Sequence, residues 1–200
     1  SMAFDNNGNL FLCFIYYNPS PTDGAVYVVK SIDVGLNWGS PVEVINANAD
    51  GSKVPMDRPW MVIDRSGGAN DGNIYITTKP APWIPAPNRA YFIRSIDNGN
   101  SFEPWKYIDT TNFFIGSSIA APMATPTISV NGTFHALYPS YDTTQSIFPQ
   151  FILASSTDGG STITHQSAFI ITSTTTDTLP KKGYLLLTNP ADANHILFTY

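Results

Sequence analysis

A chain of 200 residues with 42% hydrophobic and 12% charged side chains is long enough for one sizeable core and too apolar to be disordered. Its net charge of −5, with no cluster of Lys or Arg, argues against a nucleic-acid partner, because a phosphate backbone demands clustered cations. No apolar run approaches the ~20 residues of a membrane-spanning helix, so no membrane span is expected.

The first predicted unit covers 3–46. "MAFDNNGNLFLCFIYY" (2–17) holds two apolar strands around a turn of Asp, Asn and Gly, and "AVYVVKS" (25–31) and "SPVEVI" (40–45) supply two more. Cys13, the only cysteine, lies inside the second strand and reads as a small buried hydrophobe. The second unit, 54–109, repeats the plan in "WMVIDRSGGANDGNIYITT" (60–78), "AYFIRS" (90–95) and "EPWKYI" (103–108). The third, 122–172, repeats it in "PTISVNGTFHALYPSY" (126–141), "QFILASS" (150–156) and "HQSAFII" (165–171). A half unit, 179–200, follows with "GYLLLTNPADANHILFTY" (183–200). No segment carries a helical period, and 16 prolines further disfavour long helices.

Between the third and fourth strand of each complete unit stands one short box: "SIDVGLNW" (31–38), "SIDNGNSF" (95–102) and "SSTDGGST" (155–162). Its aspartates, Asp33, Asp97 and Asp158, recur at intervals of 64 and 61 residues, the signature of a structural repeat. In a hairpin turn such an Asp accepts backbone N–H bonds. Gly35, Gly99 and Gly160 supply a positive φ there, while Ser31, Ser95 and Ser156 tie the turn to its strand. Trp38 and Phe102 are expected to plug the gap between neighbouring units, with Ile163 as a weaker plug in the third copy. These residues read as structural, not catalytic.

The pattern Ser-x-Asp-x-Gly-x-(Ser/Thr/Asn)-(Trp/Phe) resembles the Asp-box, or bacterial neuraminidase repeat, and "DRPWMVID" (57–64) resembles an innermost-strand motif of the same proteins. The chain thus looks like a member of the sialidase superfamily of six-bladed propellers, and it also resembles non-enzymatic Asp-box propellers such as the sortilin type. The resemblance implies an all-β fold, a β-propeller of four-stranded antiparallel blades. About three and a half blades are present. An open ring leaves unpaired edges, and two expectations follow: a fragment of a longer protein, or a homodimer that closes the ring. Ser1-Met2 has the look of a cloning scar, so the native N-terminus and any signal peptide are expected to lie outside this sequence. Low charge and the resemblance together suit an extracellular or periplasmic bacterial protein.

In a propeller, the loops at the axial mouth lead from one blade to the next, or join a blade's second and third strands. Asp57 and Arg58 stand at such a mouth, where Arg58 is placed to pair with a ligand carboxylate such as that of sialic acid. The plainer alternative is a contact of Arg58 with Asp57 or with backbone that holds the loop. Lys79 and Trp83 are ligand-binding candidates for the same wall, a solvated Lys and a packed Trp being the equal alternative, and Tyr141 and Asp142 are candidates for an acid–nucleophile neighbourhood, a pair that also reads as structural. Lys181 and Lys182 are either an anion lure or a solvated turn, and Arg89 is a further candidate near the axis. His135 reads as packed, and His165 and His195 lack metal-ligand spacing. The Asp-rich turns 5–9 and 67–73 read as hairpin turns in preference to structural calcium sites, and no cofactor is expected.

An active sialidase, on this resemblance, needs a Tyr nucleophile, a Glu that activates it, an Asp acid/base and three Arg. Here Glu43 and Glu103 lie on outer strands, so the catalytic residues are unidentified. Three readings stay open: a glycan-hydrolysing or glycan-binding propeller of sialidase type, a non-catalytic scaffold for protein interaction or adhesion, and another glycosidase on the same architecture.

Overall fold

The computed structural model describes residues 1–17, 23–51, 53–119, 121–172 and 184–200, and every regular element among them is a strand. The first sheet joins β1 (Met2–Phe4), β2 (Leu10–Tyr17), β3 (Gly24–Ser31) and β4 (Val42–Asn46) in chain order. The second joins β5 (Asp57–Ile63), β6 (Ile74–Lys79), β7 (Tyr91–Ser95) and β8 (Lys106–Tyr107). The third joins β9 (Thr125–Ile128), β10 (Phe134–Ser140), β11 (Gln150–Ser156) and β12 (Thr164–Ile170). The hairpin β13 (Leu185–Asn189) with β14 (Asp192–Thr199) begins a fourth. All pairings are antiparallel.

The sheets stack face to face, and their first strands β1, β5, β9 and β13 contact one another in succession. A pleated strand sends alternate side chains to opposite faces, so each middle sheet serves two cores. Ile74, Ile76, Tyr91 and Ile93 of the second sheet meet Phe11, Cys13, Val26 and Val28 of the first. Tyr75 and Phe92 turn the other way, toward Phe134, Ala136 and Ile152 of the third. Leu137, Phe151 and Leu153 then meet Tyr184 and Leu186 of the fourth.

This two-sided burial explains the sequence texture. Every residue of β6 and of β10 is buried, as expected for strands covered on both faces. Burial along β2 and β14 is instead partial or alternating, as expected with one face covered.

The fourth strand of the second sheet is shorter than the 103–108 expected. Pro104 has no N–H for the ladder, so only Lys106–Tyr107 pair regularly. The preceding Glu103 N–H still bonds the Arg94 carbonyl at 2.9 Å.

The three boxes form three near-identical corners. In the first, the Asp33 Oδ1 accepts the Asn37 N–H at 2.8 Å and the Ser31 hydroxyl at 2.8 Å, and the Ser31 Oγ accepts the Gly35 N–H at 2.8 Å. Ser95, Asp97, Gly99 and Ser101 repeat this network, as do Ser156, Asp158, Gly160 and Thr162. The glycines carry φ values of 91°, 79° and 81°.

The expected plugs divide. Phe102 packs against the core between the first and second sheets, and Ile163 against that between the second and third. Trp38 is 40% exposed, which corrects the expectation that it packs between blades. A box side chain leans on the preceding sheet, and no described sheet precedes the first.

Candidate functional site

Lys79 stands opposite Asp57 in the β5–β6 register. Register therefore delivers an ammonium to a carboxylate 22 residues away in sequence, and Lys79 Nζ bonds Asp57 Oδ2. The ammonium also donates to the Pro80 carbonyl at 3.2 Å. The Lys79 side chain is only 2% exposed and that of Asp57 16%, so both charges are largely removed from water and depend on each other.

The register slips between Asp57 and Trp60, at "RP", where Pro59 has no N–H to offer. Arg58 takes up the irregularity in a left-handed conformation with φ 51°. That region is uncommon for residues other than glycine and clusters at functional sites. The Arg58 side chain is 36% exposed, with Nε 3.9 Å from Asp57 Oδ2 and one terminal nitrogen 3.6 Å from the Met123 sulfur. The guanidinium borders a crevice too narrow to hold a water molecule, lined by Arg58, Trp60, Thr77, Thr78, Lys79, Met123 and Ala124. The Thr78 hydroxyl braces the Asp57 carbonyl at 2.9 Å and the Thr77 hydroxyl that of Ala124 at 2.6 Å.

Trp83 reaches this neighbourhood through Tyr17, which sequence reasoning did not single out. Their ring centroids lie 6.2 Å apart at 49°, and the Tyr17 hydroxyl donates to the Met56 carbonyl at 3.1 Å. Burial, and then the Asp57 carboxylate, push the Tyr17 phenol above its ordinary pKa. The one available signal was Tyr17's place at the end of "LFLCFIYY", where the chain enters a mouth loop.

Tyr141 and Asp142 form a brace elsewhere. The Tyr141 N–H bonds the Ile115 carbonyl at 2.8 Å. Asp142 Oδ1 accepts the Thr144 N–H at 2.9 Å and the Thr144 hydroxyl at 2.7 Å. The Asp142 carboxylate thus holds its own turn, in the way Asx turns do.

The remaining arginines are engaged at the periphery. Arg89 donates to Asp109 Oδ1 at 2.7 Å and lies 3.8 Å over the Tyr107 ring, on the outermost strand and not at the axis as expected. Arg94 makes a two-point pair with Glu103, at 2.7 and 3.2 Å, and reaches Ser161 of the third corner at 2.9 Å. Glu43 accepts from Asn46 at 3.0 Å. Both glutamates stand away from the Arg58 cleft. Lys181 and Lys182 lie outside the described residues.

His135 is buried between two hydroxyls, Nδ1 2.7 Å from Ser155 Oγ and Nε2 3.1 Å from Ser129 Oγ. Ser129 gives its proton to the Ala193 carbonyl at 3.2 Å, so Nε2 carries the histidine N–H and Nδ1 accepts from Ser155. Burial lowers the His135 pKa to about 4. In the Asp-rich turns, Asp5 accepts the Asn7 and Asn9 N–H groups at 2.9 and 2.8 Å, and Asp71 accepts the Gly67 N–H at 2.9 Å. Among the described residues no group of three or more His, Cys, Asp or Glu is placed to hold a metal ion.

No known protein-family profile and no curated protein matches the chain. Solved structures do. The Hadza microbial sialidase Hz136 superposes with TM-score 0.59 at 17% identity, covering 84% of this chain and 37% of its own. An α-L-arabinanase of Penicillium chrysogenum, complexed with arabinobiose, gives TM-score 0.59 at 16% identity, with 96% and 53% covered. The polysaccharide lyase Uly1 gives TM-score 0.54 at 17% identity, with 94% and 42% covered. The chain spans about half or less of the length of these proteins. At such identities the likeness concerns the fold, and that fold is an all-β propeller built of four-stranded antiparallel blades.

Proposed function

We propose that this chain is a glycan-binding or glycan-hydrolysing propeller of the Asp-box, sialidase-like kind, and that Arg58 receives the carboxylate of an acidic sugar. One observation carries the reading. Arg58 is half-exposed at the start of an inner strand, in a left-handed backbone conformation, beside an Asp57 already paired with buried Lys79. The Arg58 guanidinium stands 3.9 Å from that carboxylate with its side chain 36% exposed, which leaves its outer edge for a ligand. The sialidase, arabinanase and lyase likenesses support a sugar as that ligand.

A second reading, a binding scaffold without turnover, is favoured by Glu43 and Glu103 at the periphery and by Asp142 in its own turn. Two assays separate the readings: release of a fluorogenic sialoside, and glycan-array binding, each with Arg58→Ala beside the unaltered protein. Turnover lost in Arg58→Ala supports hydrolysis. Array binding without turnover supports the scaffold, and neither signal overturns the proposal.

The proposal extends to an extracellular or periplasmic bacterial setting, tested by fractionating the source cells. It extends also to a homodimer formed through the outward face of the first sheet, where Phe4, Tyr16 and Trp38 are 43%, 56% and 40% exposed. A monomer by light scattering at micromolar concentration overturns that part.

A further inference from the structure

We propose that the tip of the first corner, formed by Ile32, Val34 and Leu36, is a lipid-docking knob that enters the headgroup boundary of a zwitterionic phospholipid surface.

Three observations converge. First, the tip is apolar where the shared corner does not require it. The three corners make the same hydrogen-bond network. Yet the positions of Ile32, Val34 and Leu36 hold Ile96, Asn98 and Asn100 in the second corner and Thr157, Gly159 and Ser161 in the third. Ile32 is 82%, Val34 72% and Leu36 84% exposed, and exposed apolar groups in a cluster mark an interaction site. A neighbouring blade would not cover them. The second corner has a sheet before it, and there Phe102 is covered while Ile96, Asn98 and Asn100 stay exposed.

Second, the tip keeps a backbone strain that a common residue would relieve. Val34 has φ 60°, a left-handed conformation that is a rare outlier for a β-branched residue. At the matching positions Asn98 has φ 58° and Gly159 φ 68°, and both residue types tolerate that region. Strain retained in this way points to a functional position.

Third, shape, size and charge select the occupant. Three aliphatic side chains on a turn closed by the Leu36 N–H to the Asp33 carbonyl at 3.3 Å make a convex point. Such a point falls well short of the roughly 1,000 Å² of a specific protein interface, whereas a bilayer boundary admits an apolar projection without a matching pocket. The one charge in the turn, Asp33, is negative and already holds the Ser31 hydroxyl and both Asn37 donors, and the chain totals −5. Anionic lipid, which basic clusters attract, is therefore disfavoured. In the second sheet the corner stands at the end away from Arg58: Ser95 faces Ile74, and Ile74 faces Ile63, at the opposite end of β5 from Asp57. Docking by a corner thus leaves the Arg58 end free.

The test is flotation with phosphatidylcholine vesicles. The unaltered protein is compared with the triple variant Ile32→Thr, Val34→Asn and Leu36→Asn, which carries only residues that the other corners hold at these positions. The unaltered protein should float, and added salt should not release it. The triple variant, shown to be folded by thermal melting, should partition about tenfold less or weaker still. In a separate Leu36→Trp variant, brominated phosphatidylcholine should quench the added emission. The proposal is overturned if the unaltered protein does not float, if the triple variant floats equally, or if the added emission is not quenched. It is overturned equally if binding needs anionic lipid and vanishes in salt. Self-association without vesicles that disappears in the triple variant would give the tip to a second copy of the chain and would also refute lipid docking.

Discussion

Gly160 of the third corner lies flat against Phe92 of the second sheet: a Cβ at Gly160 would stand 2.8 Å from the ring's Cζ. Gly99 meets Phe11 of the first sheet in the same way, with a Cβ position 3.1 Å from the ring. The box glycine thus serves two purposes at once. It turns the hairpin, and it lets the next blade approach.

These purposes can be separated by mutation. Gly8 has φ 80° with nothing within 4 Å of a Cβ, whereas Gly160 has φ 81° and a crowded one. Gly8→Ala is expected to cost about 1 kcal/mol, the backbone penalty alone. Gly160→Ala should cost about 2 kcal/mol or more, because a ring must also move. Urea denaturation of both variants checks the difference, and equal losses would remove the packing role.

The corner carboxylates make stability depend on acid. Bonds from the Asn37 backbone, then the Asn37 and Ser31 side chains, lower the Asp33 pKa to about 2. The Thr162 side chain, its N–H and Ser156 hold Asp158 lower still. The folded pKa lies below the unfolded value, so the unfolded chain binds more protons in the interval between them. The contribution is complete above about pH 4 and fades as pH falls toward 2. Asp158→Asn should flatten the fall of the urea midpoint between pH 4 and 2, and an unchanged slope would count against the corner network.

His135 gives a second window. It folds neutral, with its pKa lowered to about 4 by burial, so protons favour the unfolded chain below its ordinary value of about 6.5. Its contribution is complete above that value and is lost as pH falls toward 4. The His135 ring resonances should stay those of the Nε2–H tautomer down to about pH 5 in an NMR titration. A midpoint near 6.5 would refute the buried placement between Ser129 and Ser155.

The Lys79–Asp57 pair yields a third test. Lys79→Met strands a mostly buried carboxylate and should cost about 3 kcal/mol. Adding Asp57→Leu should restore most of that loss, since well-packed apolar residues replace buried ion pairs at little cost. Arg58→Ala, at a half-exposed site, should change stability by less than about 1 kcal/mol. Chemical denaturation of the three variants decides, and a double variant no better than the single one would show that the pair is not mutually dependent.

The three corners were legible in the sequence because every bond that makes them spans at most four residues. Ser31, Asp33, Gly35 and Asn37 carry their donors and acceptors in one turn, so spacing alone specifies the geometry. The four-strand rhythm was legible for the same local reason, through turn residues and β-branched runs. The site was legible only in part. Asp57, Arg58 and Lys79 come together as one cluster, and Trp83 joins them through an unforeseen Tyr17.

What the amino-acid order determined by itself was the repeat, its corners and hence the class of fold. What only the tertiary structure decided was which distant side chains meet. Lys79 faces Asp57 through strand register, Arg89 swings out to Asp109 and Tyr107, and Trp38 stays exposed while Phe102 is covered. The reason is physical: a turn is closed by groups a few bonds apart along the chain. Pairing across strands and between blades depends on register and stacking, which no short stretch of sequence contains.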